Sequence, residues 1–292
     1  MCCYGLMAPL TSDPLQLRIT AETLVAEAAA FVRRRRAEVF GAHGADPAAG
    51  VVQTKSSPTD PVTVVDTETE SLIRDRLTRL RPGDPVLGEE GGGPGRHEPG
   101  VVTWVVDPID GTVNFMYDIP AYAVSVAAQI GGVSVAGAVA DVAGGRLYSA
   151  GAGLGAQVAD SQGTAPLRCT DVGELSLALL GTGFGYSPRR RAAQAALLAR
   201  LLPTVRDVRR IGSAALDLCM VAAGRLDAYY EHGIKRWDYA AGALIAVEAG
   251  ARLVLPGPAI DAGDVIVAAA PGIADALIAS LRGAGGWEPI PE

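Results

Sequence analysis

The sequence WVVDPIDGTVNF at residues 104–115 joins an apolar, β-branched run to two aspartates, Asp107 and Asp110, that are separated by two residues. Such a run is typical of a buried β-strand. Pro108 cannot donate a hydrogen bond to a neighbouring strand, so we predict that the strand ends near Asp107. The chain then turns, and we expect both carboxylates to point into the same cleft at the end of the strand.

Gly111 and Thr112 follow the second aspartate directly and indicate the start of a short helix or turn. The first amides of a helix have no partner within it, so they can bind an anion. Carboxylates that bind hard cations, set beside amides that bind an anion, predict a site for a metal-bound phosphate. The alternative is ordinary turn chemistry, for which Asp-Pro and Asp-Gly pairs are common. A turn requires neither a second aspartate at this spacing nor an apolar run before it, and we favour the phosphate site.

The composition of the 292-residue chain is that of a packed globular protein, with 49% hydrophobic and 20% charged residues. This length allows one large α/β domain or two smaller ones. The formal net charge of −7 argues against a protein that works by neutralising nucleic-acid backbones, because that normally needs a basic face. The four arginines at 33–36 form the longest run of basic residues and lie within a helical pattern. We interpret them as a solvated helix face, with a nucleic-acid role as the alternative.

Several kinds of site are excluded by residues that the sequence lacks. Its four cysteines form no CxxC pair and no zinc spacing, it contains no GxxxxGK[ST] loop, and three histidines give no support to a Ser-His-Asp hydrolase. The cysteine pattern favours a reduced, cytoplasmic setting, and no apolar run approaches the ~20 residues of a membrane span. We expect residues 1–14 to form a flexible tail without a signal peptide, and Met7 remains an alternative to Met1 as the start.

A second pair of acids, Glu89 and Glu90, follows the short apolar run Val-Leu-Gly at 86–88. This run predicts a strand, and fewer than twenty residues separate its end from Asp107. A neighbouring strand or a hairpin would therefore place Glu89 beside Asp107. Lys55 also stands out, because the chain has only one other lysine while arginine is abundant. A compact ammonium suits a phosphate or a metal-bound water, and the alternative is a surface lysine before a turn.

The remaining pattern predicts helices at about 15–40 and 66–80, with Asp66 as the N-cap of the second helix, and a β-meander across 120–160. Residues 151–156 match GxGxxA, but no apolar helix follows, so we predict a hairpin turn and not a dinucleotide site. A change in composition near 167–175 predicts a domain boundary. We divide the chain into an α+β domain at 15–166 and an α/β domain at 167–292.

The second half alternates strands with helices and contains two further acids of interest, Glu231 and Asp238. Glu231 ends a predicted strand that includes Tyr229 and Tyr230. Asp238 is predicted to open a helix over 239–248, where it is either a simple N-cap or the fourth acid of a multi-metal site.

Four blocks of the sequence together resemble the inositol monophosphatase family of magnesium-dependent, lithium-sensitive phosphatases, most closely its bacterial SuhB-type inositol-1-monophosphatases. The blocks are residues 55–66, 88–90, 104–115 and 229–242. Their order and spacing match over nearly the whole chain from about residue 15. The resemblance implies a layered αβαβα sandwich, with a six-stranded antiparallel sheet in the first half, a smaller and mostly parallel sheet in the second, and a homodimer.

The resemblance also implies a set of ligands for two or three Mg²⁺ ions, with Li⁺ as an inhibitor. The ligands are Glu89, Asp107, the carbonyl group of Ile109, Asp110 and Asp238. Gly111 and Thr112 would present amides to the phosphate. The implied catalytic residues are Asp66, Thr112 and Glu89, since a threonine backed by an aspartate orients the attacking water in this family. This role replaces the N-cap interpretation of Asp66.

Substrate contacts are implied for a further group of positions. These are Lys55, Asp110, Gly111, Thr112, Ala214, Glu231 and Asp238. The implied reaction is hydrolysis of inositol-1-phosphate by direct attack of a metal-activated water. Relatives that cleave fructose-1,6-bisphosphate, histidinol phosphate or other sugar phosphates provide the alternative substrates. A second alternative is a regulatory role as a partner of the transcription machinery, since some bacterial relatives bind it, and the arginines at 33–36 are the candidate contact for that role.

Overall fold

The computed structural model of the chain describes residues 12–41, 51–55, 61–94, 98–255 and 265–290. Most of the predicted N-terminal tail, His43, His97 and residues 56–60 of the lysine-containing block lie outside these ranges. The helices of the described residues are α1 Pro14–Phe40, α2 Val64–Leu80, α3 Thr112–Met116, α4 Pro188–Leu201, α5 Ala214–Ala222, α6 Arg236–Glu248 and α7 Ala274–Gly283. None of them is both long and apolar enough to cross a membrane.

The strands of the described residues fall into a hairpin and two larger sheets. They are β1 Val52–Thr54, β2 Pro61–Thr63, β3 Val86–Gly88, β4 Val102–Asp110, β5 Ala123–Ile130, β6 Val133–Asp141, β7 Arg146–Gly151, β8 Ala156–Asp160, β9 Gly163–Pro166, β10 Leu179–Thr182, β11 Asp207–Arg209, β12 Ala228–His232, β13 Arg252–Val254 and β14 Val265–Ala269.

The first large sheet has the order β3-β4-β5-β6-β7-β8-β9. Strands β5 to β8 form the antiparallel meander predicted across 120–160, and β4 and β9 extend it by one antiparallel strand at each side. Strand β3 adds a seventh strand parallel to β4. The sheet is therefore one strand wider than the six-stranded sheet that the resemblance implied. The turn between β7 and β8 coincides with the GxGxxA match, which confirms the hairpin prediction there.

The second sheet has the order β11-β10-β12-β14-β13. Strand β10 is parallel to both β11 and β12, whereas β14 is antiparallel to both β12 and β13. The expectation of a mostly parallel sheet is therefore wrong, since the pairs are evenly divided. The predicted domain boundary falls immediately after β9, which ends at Pro166, and the division into two domains stays a prediction.

The two sheets and six of the helices form five layers, and four apolar clusters lie between them. Helices α1 and α2 cover one face of the first sheet, where Leu24 and Ile73 join Trp104 in one buried cluster. Helices α5 and α6 form the central layer and contribute to the clusters on both sheets. Helices α4 and α7 cover the outer face of the second sheet, with Leu197 and Leu277 buried there. The predicted αβαβα sandwich is confirmed.

Helix α1 begins and ends with clear local signals. Asp13 is its N-cap, with a side-chain oxygen 3.4 Å from the Leu15 amide nitrogen, and Pro14 occupies the first turn, where a missing N–H is harmless. Gly41 ends the helix with a φ of 68°, a left-handed conformation that favours glycine. The helix predicted from apolar spacing is thus confirmed to within a residue at its first end.

The arginine cluster on α1 contributes to the packing of the first half. Arg36 is buried and donates to the Phe115 carbonyl oxygen at 3.0 Å, and it pairs with Asp118 at 2.9 Å. Arg35 binds Glu68 of α2 through two hydrogen bonds of 2.8 and 3.0 Å. The prediction of a solvated helix face is therefore wrong for Arg36, because the turn after α3 needs a donor at this position.

Candidate active site

Asp107 and Asp110 both lie on β4, which continues through Pro108 instead of ending at Asp107. Asp107 pairs with Ser125 of β5 and Asp110 pairs with Ala123, so three steps on β4 oppose two steps on β5. This extra residue is a β-bulge, which accommodates proline and changes the direction of the side chains that follow it. The predicted strand end is therefore wrong, but the bulge brings the two carboxylates to one region as expected.

Glu89 lies beside Asp107 because β3 and β4 are parallel neighbours. Gly88 is paired with Val106, and the Glu89 amide donates to the Val106 carbonyl oxygen at 3.2 Å. The predicted proximity of Glu89 and Asp107 is thus confirmed. Lys55 reaches the same place, where its ammonium nitrogen lies 2.7 Å from Glu89 Oε1 and 2.6 Å from Glu90 Oε1.

Gly111 forms the turn from β4 into α3. Its φ of 95° is in the left-handed region, and a Cβ added there would lie 3.0 Å from the carbonyl oxygens of Ala121 and Gly212. Only glycine meets both conditions without strain. The short helix that begins at Thr112 confirms the predicted element, and the Thr112 hydroxyl lies 3.1 Å from both Asp66 Oδ1 and the Ile109 carbonyl oxygen.

Asp66 lies one turn inside α2 and is not its N-cap. The cap is Thr63, whose amide and hydroxyl both donate to Asp66 Oδ2, at 3.0 and 2.5 Å. The prediction that Asp66 begins the helix is therefore wrong by three residues, because a threonine cap with an acid at the third helical position forms a capping box. The other oxygen of Asp66 faces Thr112, so the threonine and aspartate that the resemblance paired are in contact.

Asp238 makes the backbone half of this arrangement at the start of α6. The helix begins at Arg236 with Lys235 as N-cap, and the Lys235 amide donates to Asp238 Oδ2 at 2.5 Å. The predicted N-cap position is again wrong by three residues, because Asp238 binds the backbone amide of the N-cap from the third helical position. An acid at this position also interacts favourably with the positive end of the helix dipole.

The N-terminus of α5 is bound directly to Asp110. One oxygen of Asp110 accepts from the Ser213 hydroxyl and from the Ala215 amide, both at 2.6 Å. Ala214 lies between these two donors and is almost fully buried. Sequence reasoning assigned no role to Ser213, although a serine directly before an apolar helix is a recognisable N-cap signal.

Glu231 lies on β12 and accepts a 2.6 Å hydrogen bond from the Tyr229 hydroxyl. Gly183 makes room for it, because a Cβ at 183 would overlap the Glu231 carboxyl group. Burial raises the pKa of Glu231 to about 7, although the Tyr229 bond and the charge of Arg210 lower it. The charge of Asp110 also raises the pKa of Glu231.

The acids at this site disfavour one another's charge. Burial raises the pKa of Asp107 well above its usual range, and the charges of Glu89, Asp110 and Asp238 raise it further. Burial likewise raises the pKa of Asp238 far above its usual value, with added repulsion from Asp110 and Glu89. The pKa of Asp110 is raised by burial to about 6, despite the opposing bonds from α5. A cation placed among these groups would relieve this repulsion.

The donor set fits a hard divalent cation. Carboxylate and carbonyl oxygens are the ligands that Mg²⁺ prefers, and Glu89, Asp107, Asp110 and Asp238 are close enough to perturb one another. No three acidic, histidine or cysteine side chains in the described part of the chain form a ready-made cage for a metal ion. Glu89 is paired with the Lys55 ammonium, a cation that occupies one side of this donor set.

Comparison with known proteins identifies the family to which this site belongs. A sequence profile of the inositol monophosphatase family matches residues 13–285. The chain belongs to the inositol monophosphatase family. Metal dependence is general in this family, which agrees with the cluster of oxygen donors. The resemblance that four short blocks carried is confirmed over almost the full length of the chain.

Individual members of the family are similar to this chain in sequence and in structure. Inositol-1-monophosphatase SuhB of Mycobacterium tuberculosis is 68% identical over 285 residues, which cover 96% of this chain and 98% of the relative. A solved structure described as Mycobacterium tuberculosis SuhB gives a TM-score of 0.80 at 62% identity and covers 95% of this chain and 100% of that one. Nus factor SuhB of Pasteurella multocida is 39% identical over 199 residues, covering 68% of this chain and 72% of the relative.

Proposed function

We propose that this protein is a Mg²⁺-dependent inositol-1-monophosphatase, which hydrolyses inositol-1-phosphate to inositol and phosphate. The observation that carries the proposal is the convergence of Asp107, Asp110, Asp238 and Glu89 beside the Gly111 turn. The 68% identity to a protein named inositol-1-monophosphatase supports the substrate. Fructose-1,6-bisphosphate and histidinol phosphate remain the competing substrates.

The metal ligands in this proposal are Glu89, Asp107, the carbonyl group of Ile109, Asp110 and Asp238. Asp107 has one oxygen fixed by the Ile109 amide at 3.1 Å, and Asp110 has one oxygen fixed by α5. When bound, Mg²⁺ supplies neutralisation of the phosphate charge, a water of lowered pKa and stabilisation of the leaving alkoxide. Two or three ions are proposed, with Li⁺ as an inhibitor that competes at this site.

The chain itself binds the phosphate and directs the attacking water. The amides of Gly111 and Thr112 lie at the start of α3 and are proposed to bind the phosphate oxygens. The Thr112 hydroxyl, 3.1 Å from Asp66 Oδ1, is proposed to orient the water and to pass its proton toward Asp66. Glu89 completes the catalytic set from the end of the neighbouring strand β3. The reaction would proceed by direct displacement at phosphorus without a phosphorylated side chain.

The polyol part of the substrate is assigned to Glu231 and Ala214 of the second half, together with Asp110 of the first. Glu231 and Asp110 provide acceptors for ring hydroxyls, and Ala214 provides a small contact at the start of α5. Lys55 supplies a positive charge near the phosphate, and Asp238 borders the same space. Burial lowers the pKa of Lys55, but the charges of Glu89 and Glu90 raise it by more, so its ammonium is charged.

The test is a phosphate-release assay on inositol-1-phosphate, fructose-1,6-bisphosphate and histidinol phosphate, with Mg²⁺, with a chelator, and with added Li⁺. We expect Mg²⁺-dependent, Li⁺-inhibited release that is fastest from inositol-1-phosphate. Asp107→Asn should fold but be nearly inactive, because it removes a buried charge from the ligand set. Asp160→Asn, at an exposed hairpin, is the matched control and should keep full activity. Near-normal turnover by Asp107→Asn, or a trapped phospho-enzyme, would contradict the proposal.

We also propose a homodimer that works in a reducing, cytoplasmic compartment. Cys169 and Cys219, the cysteines within the described ranges, are both free. Two free thiols support a reducing setting. Sedimentation analysis of the full chain tests the dimer, and a single monomeric species would contradict it.

A role with the transcription machinery is the second candidate, and it rests on the name Nus factor SuhB of the Pasteurella relative. The predicted contact was the arginine cluster at 33–36, but Arg36 is buried and Arg35 is paired with Glu68. Arg34, with a side chain 61% exposed, is the appropriate residue for charge reversal. RNA polymerase should be recovered with the native protein and less with Arg34→Glu, and equal recovery with both would rule out this surface.

A further inference from the structure

The turn that carries Glu89 and Glu90 is held from below by a buried acid of α2. The turn, residues 88–92, is closed by a bridge between Gly88 and Gly92, with a 3.0 Å bond from the Gly88 amide to the Gly92 carbonyl oxygen. Glu70 accepts from the Glu90 and Gly91 amides, each at 2.8 Å, using a different oxygen for each. One carboxylate thus fixes two successive amides of the turn.

Arg74, one helical turn after Glu70, fixes the other side of the same turn. Its Nε donates to Glu70 Oε1 at 2.7 Å, and its two terminal nitrogens donate to the Gly92 carbonyl oxygen at 2.6 Å and the Val86 carbonyl oxygen at 3.3 Å. The Glu70 side chain is only 3% exposed, so its charge is removed from water and compensated within the protein. We call Glu70 and Arg74 the α2 clamp.

The α2 clamp explains why positions 88 and 91 of the turn are glycines. A Cβ at Gly88 would lie 2.3 Å from the Glu70 carboxyl carbon, and a Cβ at Gly91 would lie 2.7 Å from Glu70 Oε1. Neither clash can be relieved cheaply, because the Glu70 carboxylate is already held by three donors. The sequence Gly-Glu-Glu-Gly therefore leaves space for a carboxylate beneath the turn and places the two glutamates above it.

We infer that the α2 clamp sets the positions of Glu89 and Glu90 and thereby the affinity of the site for its metal ion. Glu89 is fixed on its other side by its bond to the Val106 carbonyl oxygen, so the backbone on both sides of Glu89 is held before any ligand binds. Partners of this kind behind a ligand typically change metal affinity or activity by about 10–100-fold when they are removed. Glu70 and Arg74 are positioning residues here, and the inference rests on the proposed metal-dependent function.

The experiment compares Glu70→Gln with native protein by titration calorimetry with Mg²⁺ and by the electron paramagnetic resonance signal of Mn²⁺. A glutamine keeps the size of the side chain but places an amino group against one of the two turn amides. We expect metal affinity to fall about 10–100-fold. At saturating Mg²⁺ the turnover number should return to within a few-fold of native, because no group that contacts the substrate is changed.

Glu68→Gln is the matched control. Glu68 lies on the same helix and forms two hydrogen bonds with Arg35, whereas the turn amides of Glu90 and Gly91 donate to Glu70. Its loss should lower the melting temperature without changing metal affinity. Arg74→Lys is the second variant, since lysine keeps the charge beside Glu70 but cannot donate in the fork geometry of arginine. It should weaken metal binding in the same direction, and it provides the test if Glu70→Gln does not fold.

The possible results separate the clamp from the proposed function. Weakened metal binding by Glu70→Gln or Arg74→Lys, with Glu68→Gln unchanged, supports the clamp. Native metal affinity in a folded clamp variant overturns it, as does an equal loss in the Glu68→Gln control. Native protein that neither binds Mg²⁺ nor releases phosphate overturns the proposed function itself.

Discussion

Replacement of Thr112 by valine removes one hydroxyl and little else, and it tests how the water is directed. That hydroxyl lies 3.1 Å from both Asp66 Oδ1 and the Ile109 carbonyl oxygen, and Thr112 is 7% exposed. Loss of a buried hydrogen bond costs about 1–2 kcal/mol of stability. For a chain of this size, that corresponds to a fall of about 2–8 °C in melting temperature. Loss of a group that orients the attacking water and accepts its proton lowers the rate by about 10²–10⁴-fold.

The small loss of stability and the large loss of rate can be told apart, because the variant should stay folded at 25 °C and still lose most of its activity. The assay is kcat/KM for inositol-1-phosphate at saturating Mg²⁺, together with thermal unfolding of the same samples. Thr112→Ser keeps the hydroxyl and should retain activity within about tenfold. Activity of Thr112→Val within about threefold of native would refute the assignment, and so would equal losses in the serine and valine variants.

Three further predictions concern stability. Burial raises the pKa of Asp66 and of Glu231 to about 7, so these acids stabilise the fold only while protonated. Without metal, melting temperature should therefore fall as pH rises from about 5 to 8, and Mg²⁺ should reverse the fall; a flat profile in chelator would contradict this. Gly111→Ala should cost about 1–2 kcal/mol in urea unfolding because its φ is 95°, and an unchanged midpoint would contradict it. Arg36→Met should cost about 1–3 kcal/mol by the same measurement, whereas Arg34→Met at the exposed face should cost less than about 0.5 kcal/mol.

The elements with a strong internal period were predictable from the sequence. Helix α1 repeats apolar residues at helical spacing over 27 residues, and strands β5 to β8 alternate between glycine-rich turns. The adjacency of Glu89 and Asp107 was also predictable. Glu89 directly follows one short apolar strand, Asp107 lies within the next, and few residues separate the two strands. In each case the signal lies within a few neighbouring residues.

Other features depend on partners far along the chain, and the sequence could not supply them. The bulge that carries β4 past Pro108 depends on pairing with β5, so local proline chemistry predicted an end too early. The bond from Ser213 to Asp110 joins residues 103 positions apart, and the α2 clamp joins Glu70 to amides about 20 positions later. A local pattern shows that each residue is polar, but only the folded chain shows which polar group it meets.

The acids of the site share one structural property that follows from these distant contacts. One oxygen of Asp107, of Asp110 and of Asp238 accepts an N–H group of the fold, from Ile109, Ala215 and Lys235 respectively. A carboxylate with one oxygen fixed has a fixed rotamer, so the position of its second oxygen is set before a ligand arrives. An asparagine can keep the fixed bond through its carbonyl oxygen while it loses the charge. For this reason Asp107→Asn should test the charge of the site and leave the fold that orients it intact.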